Sequence, residues 1–293
     1  MIDYSADDIS NEEAHELIAA IAPLYAAAGC ELHAGFRYRH CLVLRAAASG
    51  AELTPPHDIS DRKIADYLPR GSRADAVLAM MEKSYALLKD HPVNAARRAR
   101  GLRPANSIWL WGDGSKPQLP AFREKYGVRG AMISAVDLLK GIGICAGLRS
   151  IDVAGATGNI HTNFDGKAAA AIQALTQDGD DFVYIHVEAP DECGHRGETE
   201  NKVRSIELID EKIVGPLMRA LEGQPHSILV LPDHPTPLAV RTHTRDAVPY
   251  AIYDSRAAGG SGRAYTEAAA AETGLLIRPG HLLMGRLLGK EQV

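Results

Sequence analysis

The sequence lacks the features that mark several specialised classes of protein. Its four cysteines are dispersed and form no CxxC pair, which argues against a disulfide scaffold and for reduced thiols. Lys and Arg total 32 against 37 Asp and Glu, so a net charge of −5 excludes the basic surface of a nucleic-acid binder. It has no apolar run of membrane-spanning length and no apolar signal segment after Met1. We therefore expect a cytoplasmic protein with neither a nucleic-acid nor a membrane partner.

The chain nevertheless contains enough apolar residues for a full globular core. Of its 293 residues, 46% are hydrophobic and only 5% aromatic, with alanine and glycine abundant. That composition suits closely packed α/β layers rather than a coiled coil. The length suits one large domain or two ordinary ones.

Residues 1–104 have the mixed pattern of a small α+β module. A capping box formed by Ser10 and Glu13 opens an amphipathic helix over residues 10–28. Consecutive prolines predict that Thr54–Asp58 is extended rather than helical. The other predicted elements are the strands Glu31–Tyr38 and His40–Arg45 and the helices Ser72–Lys89 and Val93–Arg100.

Residues 105–293 consist of short apolar runs separated by helical stretches. Phe182–Val187 is apolar nearly throughout, as expected of a strand covered on both faces. Strand and helix alternating at this spacing predict an α/β fold, with a mostly parallel sheet and helices on both faces. The other predicted strands are Ile108–Trp111, Gly130–Ser134, Ser150–Val153 and Ser227–Leu231. The predicted helices are Leu119–Tyr126, Val136–Ala146, Asp165–Thr176 and Thr199–Leu221.

Five carboxylate and imidazole side chains follow the two best-defined strands: Asp191, His195, Asp233, His234 and His243. In open α/β sheets, ligands bind outside the carboxyl ends of strands, where both segments are predicted to lie. Asp191 and His195 are four residues apart, so one helical turn places them on the same side. Asp233 and His234 are adjacent, and only an irregular loop can turn both toward one centre.

The chemistry of these five side chains indicates a metal centre. Carboxylate and imidazole groups without clustered thiolates suit Mn²⁺, Zn²⁺, Co²⁺ or a similar ion. Five ligands are too many for one tetrahedral site with an open position, but they suit two metal ions about 3.5–4 Å apart. Any one of the five, taken alone, is better explained as a polar surface residue. The set predicts two divalent cations, with Mn²⁺ as first choice and Zn²⁺, Co²⁺ and Mg²⁺ as alternatives.

Several longer motifs resemble a known family of enzymes. The strings DFVYIHVEAPDECGH, LPDHPTP, RTHT, NSIWLWGDGSKP and ISAVDLLKGIG are similar to the archaeal-type phosphoglycerate mutases that need no 2,3-bisphosphoglycerate. These enzymes belong to the alkaline phosphatase superfamily. The resemblance runs from DYSADDIS to VPYAIYDS, which ends at Ser255. It implies an alkaline-phosphatase-like sheet in residues 105–293 and an inserted substrate-binding module in residues 1–104.

The resemblance also implies roles for the metal ligands and a reaction. Asp191, His195 and His243 would hold one metal ion, while Asp233 and His234 would contribute to the other. The implied enzyme is an isomerase of glycolysis and gluconeogenesis that interconverts 3-phosphoglycerate and 2-phosphoglycerate. Its metal-activated serine takes the phosphate and returns it to the other hydroxyl, through a phosphoserine intermediate.

A small phosphorylated substrate calls for basic side chains that bind its anionic groups. Arg39 in FRYRH and Arg97 in VNAARR are the candidates in the first module. Lys140 in DLLKGIG resembles the phosphate-contacting lysine of the family. For each of these residues the alternative is a solvated surface charge.

The sequence departs from the family at its start, because the nucleophilic serine and an Asp-Gly metal motif precede DYSA there. We therefore expect the nucleophile to be missing from this chain, which alone would be inactive and poorly soluble. Two other functions stay open, a homoserine kinase-like phosphotransferase of the same family and a non-catalytic fragment that binds metal or substrate. Cys193 replaces a small residue of the family pattern, and we expect it to pack in the interior.

Overall fold

The polypeptide is organised as two separate units. The computed structural model describes residues 1–44, 50–257 and 259–290. The first unit is Met1–Lys116 and the second is Pro117–Val293. The division therefore falls after residue 116 rather than after residue 104. Arg45, the last residue of a predicted strand, lies outside the described residues.

The first unit combines helices with short antiparallel pairs of strands. Cys30–His33 pairs with Cys41–Leu44, and Ala51–Glu52 pairs with Arg70–Gly71. Its helices are α1 (Asn11–Ala26), α2 (Ala74–Leu88) and α3 (Pro92–Ala99). Its strands are β1 (Cys30–His33), β2 (Cys41–Leu44), β3 (Ala51–Glu52) and β4 (Arg70–Gly71). This mixture confirms the α+β character predicted for the first part of the chain.

Helix α1 forms where the capping pattern predicts it. The Ser10 hydroxyl accepts a hydrogen bond from the Glu13 backbone N–H at 3.3 Å, which satisfies one of the free donors of the first turn. One face of the helix is buried, and Ile21 and Tyr25 are almost completely inaccessible to solvent. The Tyr25 hydroxyl donates to the Met80 carbonyl at 2.9 Å, so its polar end is satisfied within the core.

The prediction of an extended Thr54–Asp58 is wrong at its carboxyl end. Pro56–Ile59 forms a short 3₁₀ helix, with Pro55 extended before it. A proline is compatible with the first turn of a helix, because the N–H it lacks would have no partner there.

The predicted strand Ile108–Trp111 is also wrong, because this segment belongs to no strand. The Ile108 N–H donates to the Ser84 hydroxyl at 3.0 Å, and the Trp109 indole N–H donates to the Thr54 carbonyl at 2.8 Å. Ile108 also packs against the buried cluster around α1. The segment is therefore held by the first unit, which explains why the division lies beyond it.

The second unit contains the parallel sheet. Its strands are β5 (Gly130–Ile133), β6 (Arg149–Ile151), β7 (Phe182–Ile185), β8 (Ser227–Val230) and β9 (Ala251–Asp254). Its helices are α4 (Phe122–Tyr126), α5 (Asp137–Cys145), α6 (Phe164–Thr176), α7 (Ala189–Arg196), α8 (Thr199–Ile209), α9 (Gly215–Ala220), α10 (Glu267–Ala271) and α11 (Leu282–Leu287). A π-helical turn, Asp210–Val214, joins α8 to α9.

The parallel sheet has the order β6-β5-β7, and β8 pairs with β9 as a separate antiparallel ribbon. All four residues of β5 are buried. Ile133 packs with residues of α6 and α9, whereas its neighbour Met132 packs with residues of α4 and α11. Successive side chains of a strand point to opposite faces, so helices cover both faces of the sheet. This confirms the predicted α/β fold. No helix among the described residues is long and apolar enough to cross a membrane.

Candidate metal centre

Helix α7 brings two of the predicted ligands together. It begins four residues after β7 ends, with Pro190 in its first turn. Asp191 and His195 lie one turn apart, and His195 Nε2 is 3.3 Å from Asp191 Oδ2. Gly197, in the left-handed conformation, ends the helix. The four-residue spacing therefore places both side chains on one face, as predicted.

His243 completes a cluster with these two side chains. Its Nε2 atom lies 3.3 Å from Asp191 Oδ1 and 3.1 Å from His195 Nε2. His195 Nδ1 lies 3.0 Å from the Arg241 carbonyl oxygen. A carbonyl only accepts, so Nδ1 must carry the proton and Nε2 of a neutral His195 presents a lone pair to the cluster.

The geometry of the cluster fits a divalent cation. Ligand atoms around a tetrahedral ion at about 2.0–2.1 Å are roughly 3.3 Å apart. The Nε2 atoms of His195 and His243 are 3.1 Å apart, and each lies 3.3 Å from a different oxygen of Asp191. With one ligand atom taken from each residue, all three atoms lie within 4.8 Å of one another. A carboxylate and two imidazoles form a donor set that suits borderline divalent ions.

Asp233 and His234 form a second pair beside the cluster. They lie in the irregular segment after β8, as their adjacency predicts. The ring centroids of His234 and His243 are 3.8 Å apart, and His234 Nε2 is 3.5 Å from Asp233 Oδ2. The five side chains are thus arranged as three plus two. Ligation by Asp233 and His234 stays a prediction.

Two predicted substrate contacts remain open. Lys140 lies on α5, where its Nζ donates to Asp152 Oδ1 at 2.7 Å. Arg39 is exposed in the first unit, with its guanidinium carbon 4.8 Å from the centroid of the Tyr38 ring. Contact of either residue with a substrate stays a prediction.

Arg97 occupies a different environment from the one predicted. Its side chain is only 2% exposed, although the sequence offered it as a contact for an anionic substrate. Its guanidinium donates to Arg103 O at 2.9 Å, to Ala6 O and to the Glu13 carboxylate. All of its nitrogens therefore serve protein groups, which favours a structural role for this residue.

The sequence did not point to two residues that join the ligand-bearing segments. The Thr236 hydroxyl donates to Asp191 Oδ1 and lies 3.3 Å from His234 Nδ1. Lys202 Nζ donates to the Pro190 and Thr236 carbonyls at 2.8 and 3.2 Å. In the sequence, the only sign of this role was the position of Thr236 between Pro235 and Pro237. Lys202 lies in α8, for which the sequence predicted a helix and no role in the site.

His186 directly follows β7. Its Nδ1 is 3.2 Å from the Ser134 hydroxyl, so the partly buried imidazole is hydrogen-bonded. Burial lowers the pKa of His186. Ser134 is only 2% exposed, and its hydroxyl also accepts from the Val136 N–H. This arrangement favours a structural role for Ser134 rather than that of a nucleophile.

Lys167 is a completely buried cation in the same region. Its Nζ donates to the His186 carbonyl at 2.8 Å. Burial lowers the pKa of Lys167 to about 8, while the Glu188 carboxylate opposes that shift. In the unfolded chain the ordinary pKa of 10.5 applies, so the two states bind different numbers of protons between pH 8 and 10.5.

We expect this difference to appear in the pH dependence of stability. Between pH 8 and 10.5 the unfolded chain binds more protons at Lys167, so the free energy of unfolding rises with pH. Between pH 7.5 and 10, the free energy of unfolding of the original chain should rise by on the order of 2 kcal/mol more than that of Lys167→Met. Calorimetric unfolding at both pH values measures it. The exposed-lysine variant Lys83→Met should show no such gain, and a pH-independent difference for Lys167→Met would contradict the assignment.

A carboxylate and imidazole cluster beside a parallel sheet is the construction expected of a metalloenzyme. The sequence comparison agrees, because the profile of the Metalloenzyme superfamily matches residues 44–284. The solved structure of a cofactor-independent phosphoglycerate mutase from Thermoplasma acidophilum matches with a TM-score of 0.58. It covers 100% of this chain and 73% of the other, at 22% identity, and supports the fold alone.

Curated relatives narrow this class. A protein of Methanothrix thermoacetophila named 2,3-bisphosphoglycerate-independent phosphoglycerate mutase is 48% identical over 290 residues, covering 98% of this chain and 73% of the relative. A protein of the same name from Methanosarcina acetivorans is 47% identical, covering 93% of this chain and 69% of the relative. Within the metalloenzyme superfamily, this chain belongs to the family of 2,3-bisphosphoglycerate-independent phosphoglycerate mutases.

Proposed function

We propose that this chain provides the metal-binding part of a phosphoglycerate mutase that interconverts 3-phosphoglycerate and 2-phosphoglycerate. The observation that carries the proposal is the cluster of Asp191, His195 and His243. It occurs in a chain 48% identical to a relative that bears the name of this enzyme. The chain spans 73% of that relative's length.

The proposal includes two divalent ions, with Mn²⁺ as the first choice. Asp191, His195 and His243 would hold one ion, and Asp233 and His234 would contribute to the other. Such ions supply Lewis acidity and neutralise charge on phosphoryl oxygens. The chain itself contributes the Asp191 carboxylate, two imidazole donors and the carbonyl that fixes the tautomer of His195.

The remaining features of the proposal concern the substrate and the location of the protein. Lys140 and Arg39 are the proposed contacts for anionic groups of a phosphoglycerate. The resemblance implies a phosphoserine intermediate, and we assign its serine to no residue of this chain. The cytoplasmic location remains part of the proposal, supported by four free cysteines.

An assay with 3-phosphoglycerate tests the reaction. The chain would be incubated with Mn²⁺ and without ATP, and 2-phosphoglycerate would be detected by ³¹P NMR. A version extended upstream in the same reading frame would be measured in parallel. Turnover by either protein supports the mutase. Phosphorylation of homoserine that requires ATP would replace it with the kinase, and tight metal binding without turnover in both proteins would favour a non-catalytic role.

Metal binding itself should stabilise the folded chain. At a free Mn²⁺ concentration of about 100 times the Kd, the free energy of unfolding should rise by about 2.7 kcal/mol. Thermal unfolding with Mn²⁺ and then with excess chelator measures this shift and its reversal. An equal shift in a His195→Ala variant would show that the ion binds elsewhere.

A further inference from the structure

We propose that Lys202 and Thr236 are positioning residues that set the geometry of the metal centre by joining its two ligand-bearing segments. Gly194 allows these segments to approach, and we call the three residues the clasp. One segment is α7, and the other is the irregular chain after β8. This inference rests on the proposed metal centre and adds residues that coordinate no ion.

Thr236 links the two groups of ligands through one hydroxyl. It is 5% exposed, and its hydroxyl donates to Asp191 Oδ1. The same oxygen lies 3.3 Å from His234 Nδ1. The hydroxyl therefore restricts rotation of the Asp191 carboxylate and relates its orientation to that of His234. Such hydrogen bonds to metal ligands typically influence affinity 10- to 100-fold.

Lys202 joins the backbones that carry these side chains. Its ammonium group donates to the Pro190 carbonyl at 2.8 Å, immediately before Asp191. It also donates to the Thr236 carbonyl at 3.2 Å. One cation thus satisfies a carbonyl from each segment, and hydrogen bonds from a charged donor are stronger than those between neutral groups.

Gly194 permits the close approach that the clasp requires. A Cβ atom at this position would lie 2.6 Å from the Thr236 carbonyl oxygen and 3.0 Å from Lys202 Nζ. The first of these contacts involves backbone, so it cannot be relieved by a change of rotamer. Any side chain here would push α7 away from the second segment. Lys202, Thr236 and Gly194 therefore all affect the distance between α7 and the segment after β8.

Whether removal of Lys202 weakens or strengthens metal binding distinguishes a positioning role from simple electrostatic repulsion. An ammonium group repels a divalent cation, so its removal would strengthen metal binding if charge alone mattered. If Lys202 instead holds the two segments together, its removal must weaken binding because the ligands lose their relative geometry.

Titration of the metal-free chain with Co²⁺ tests the inference, with Kd and the visible absorption of the bound ion as readouts. Thr236→Val should weaken binding 10- to 100-fold and change the spectrum, whereas Thr236→Ser should stay within about threefold of the original chain. Lys202→Met and Gly194→Ala should each weaken binding about tenfold. Thr176→Val and Lys83→Met are the matched controls, because the Thr176 hydroxyl donates to the Ile172 carbonyl of its own helix and Lys83 is exposed.

Unfolding of each metal-free variant would be measured separately. A purely structural role would lower stability but leave the Kd and spectrum of the folded protein unchanged, and that result would overturn the inference. Unchanged or tighter binding by Lys202→Met would also overturn it. Failure of the unsubstituted chain to bind Co²⁺ would overturn the metal centre and the clasp together. Equal binding by the unsubstituted chain and by Thr236→Val would overturn the clasp alone.

Discussion

Asp191→Asn is expected to weaken binding of Co²⁺ or Mn²⁺ by about a thousandfold or more. Asp191 is the only carboxylate of the three-residue cluster, and its two oxygens lie 3.3 Å from His195 and His243. A unit charge at 4 Å in a partly buried site is worth about 4 kcal/mol, which corresponds to about a thousandfold in Kd. The amide keeps the shape of the carboxylate, so the loss measures its charge. Titration with chelator competition provides the Kd values.

Glu192→Gln is the matched control for this substitution. Glu192 is the next residue of α7, and its carboxylate pairs with Arg196 at 2.9 Å rather than with the cluster. The same change from carboxylate to amide should therefore leave the Kd nearly unaltered. Comparable losses in both variants would mean that binding depends on the acidity of α7 as a whole, and the assignment of Asp191 would be wrong.

Arg97→Ala is expected to lower the free energy of unfolding of the first unit by about 3–5 kcal/mol. The substitution removes a buried cation that pairs with the Glu13 carboxylate, whose side chain is 22% exposed, and with the buried Ala6 carbonyl. Burial raises the pKa of Glu13, but hydrogen bonds from Arg100 and Arg97 outweigh it and lower that pKa. Removal of Arg97 would leave part of this carboxylate and the Ala6 carbonyl unsatisfied.

Tryptophan fluorescence can follow this effect, because both tryptophans, Trp109 and Trp111, lie in the first unit. Urea unfolding monitored at this signal would therefore report on the relevant unit. Arg98→Ala is the control, since the neighbouring Arg98 is exposed and its guanidinium donates to the Lys89 carbonyl. It should cost no more than about 0.5 kcal/mol. A similarly small loss of free energy of unfolding for Arg97→Ala would instead favour Arg97 as a substrate contact.

The elements that local pattern determines were predictable from the sequence. The apolar run at β7 and the spacing of Asp191 and His195 both depend on residues close together in the chain, and both appear as expected. Ile108–Trp111 has the composition of a strand, but its partners are Ser84 and Thr54, which are remote in sequence. Local propensity cannot specify such contacts, so the strand prediction failed.

The candidate site also shows that local sequence does not specify contacts between remote residues. The residue types that bind metals identify Asp191, His195 and His243, because their chemistry is unusual in combination. Arg97 resembles a binding residue in sequence and is buried in the structure, since a guanidinium can satisfy either an anion or backbone carbonyls. Lys202 has no distinguishing chemistry, and only the positions of two distant carbonyls reveal its contacts.

The helical spacing within α7 also restricts how the length of this chain can vary. Each residue of an α-helix advances the chain by about 100° around the axis. One residue inserted or deleted between Asp191 and His195 would therefore turn His195 away from Asp191 and His243, although every ligand would still be present. Insertions in the exposed turn between α9 and β8 would leave that spacing intact. The centre thus tolerates changes of length far less between its first two ligands than elsewhere in the unit.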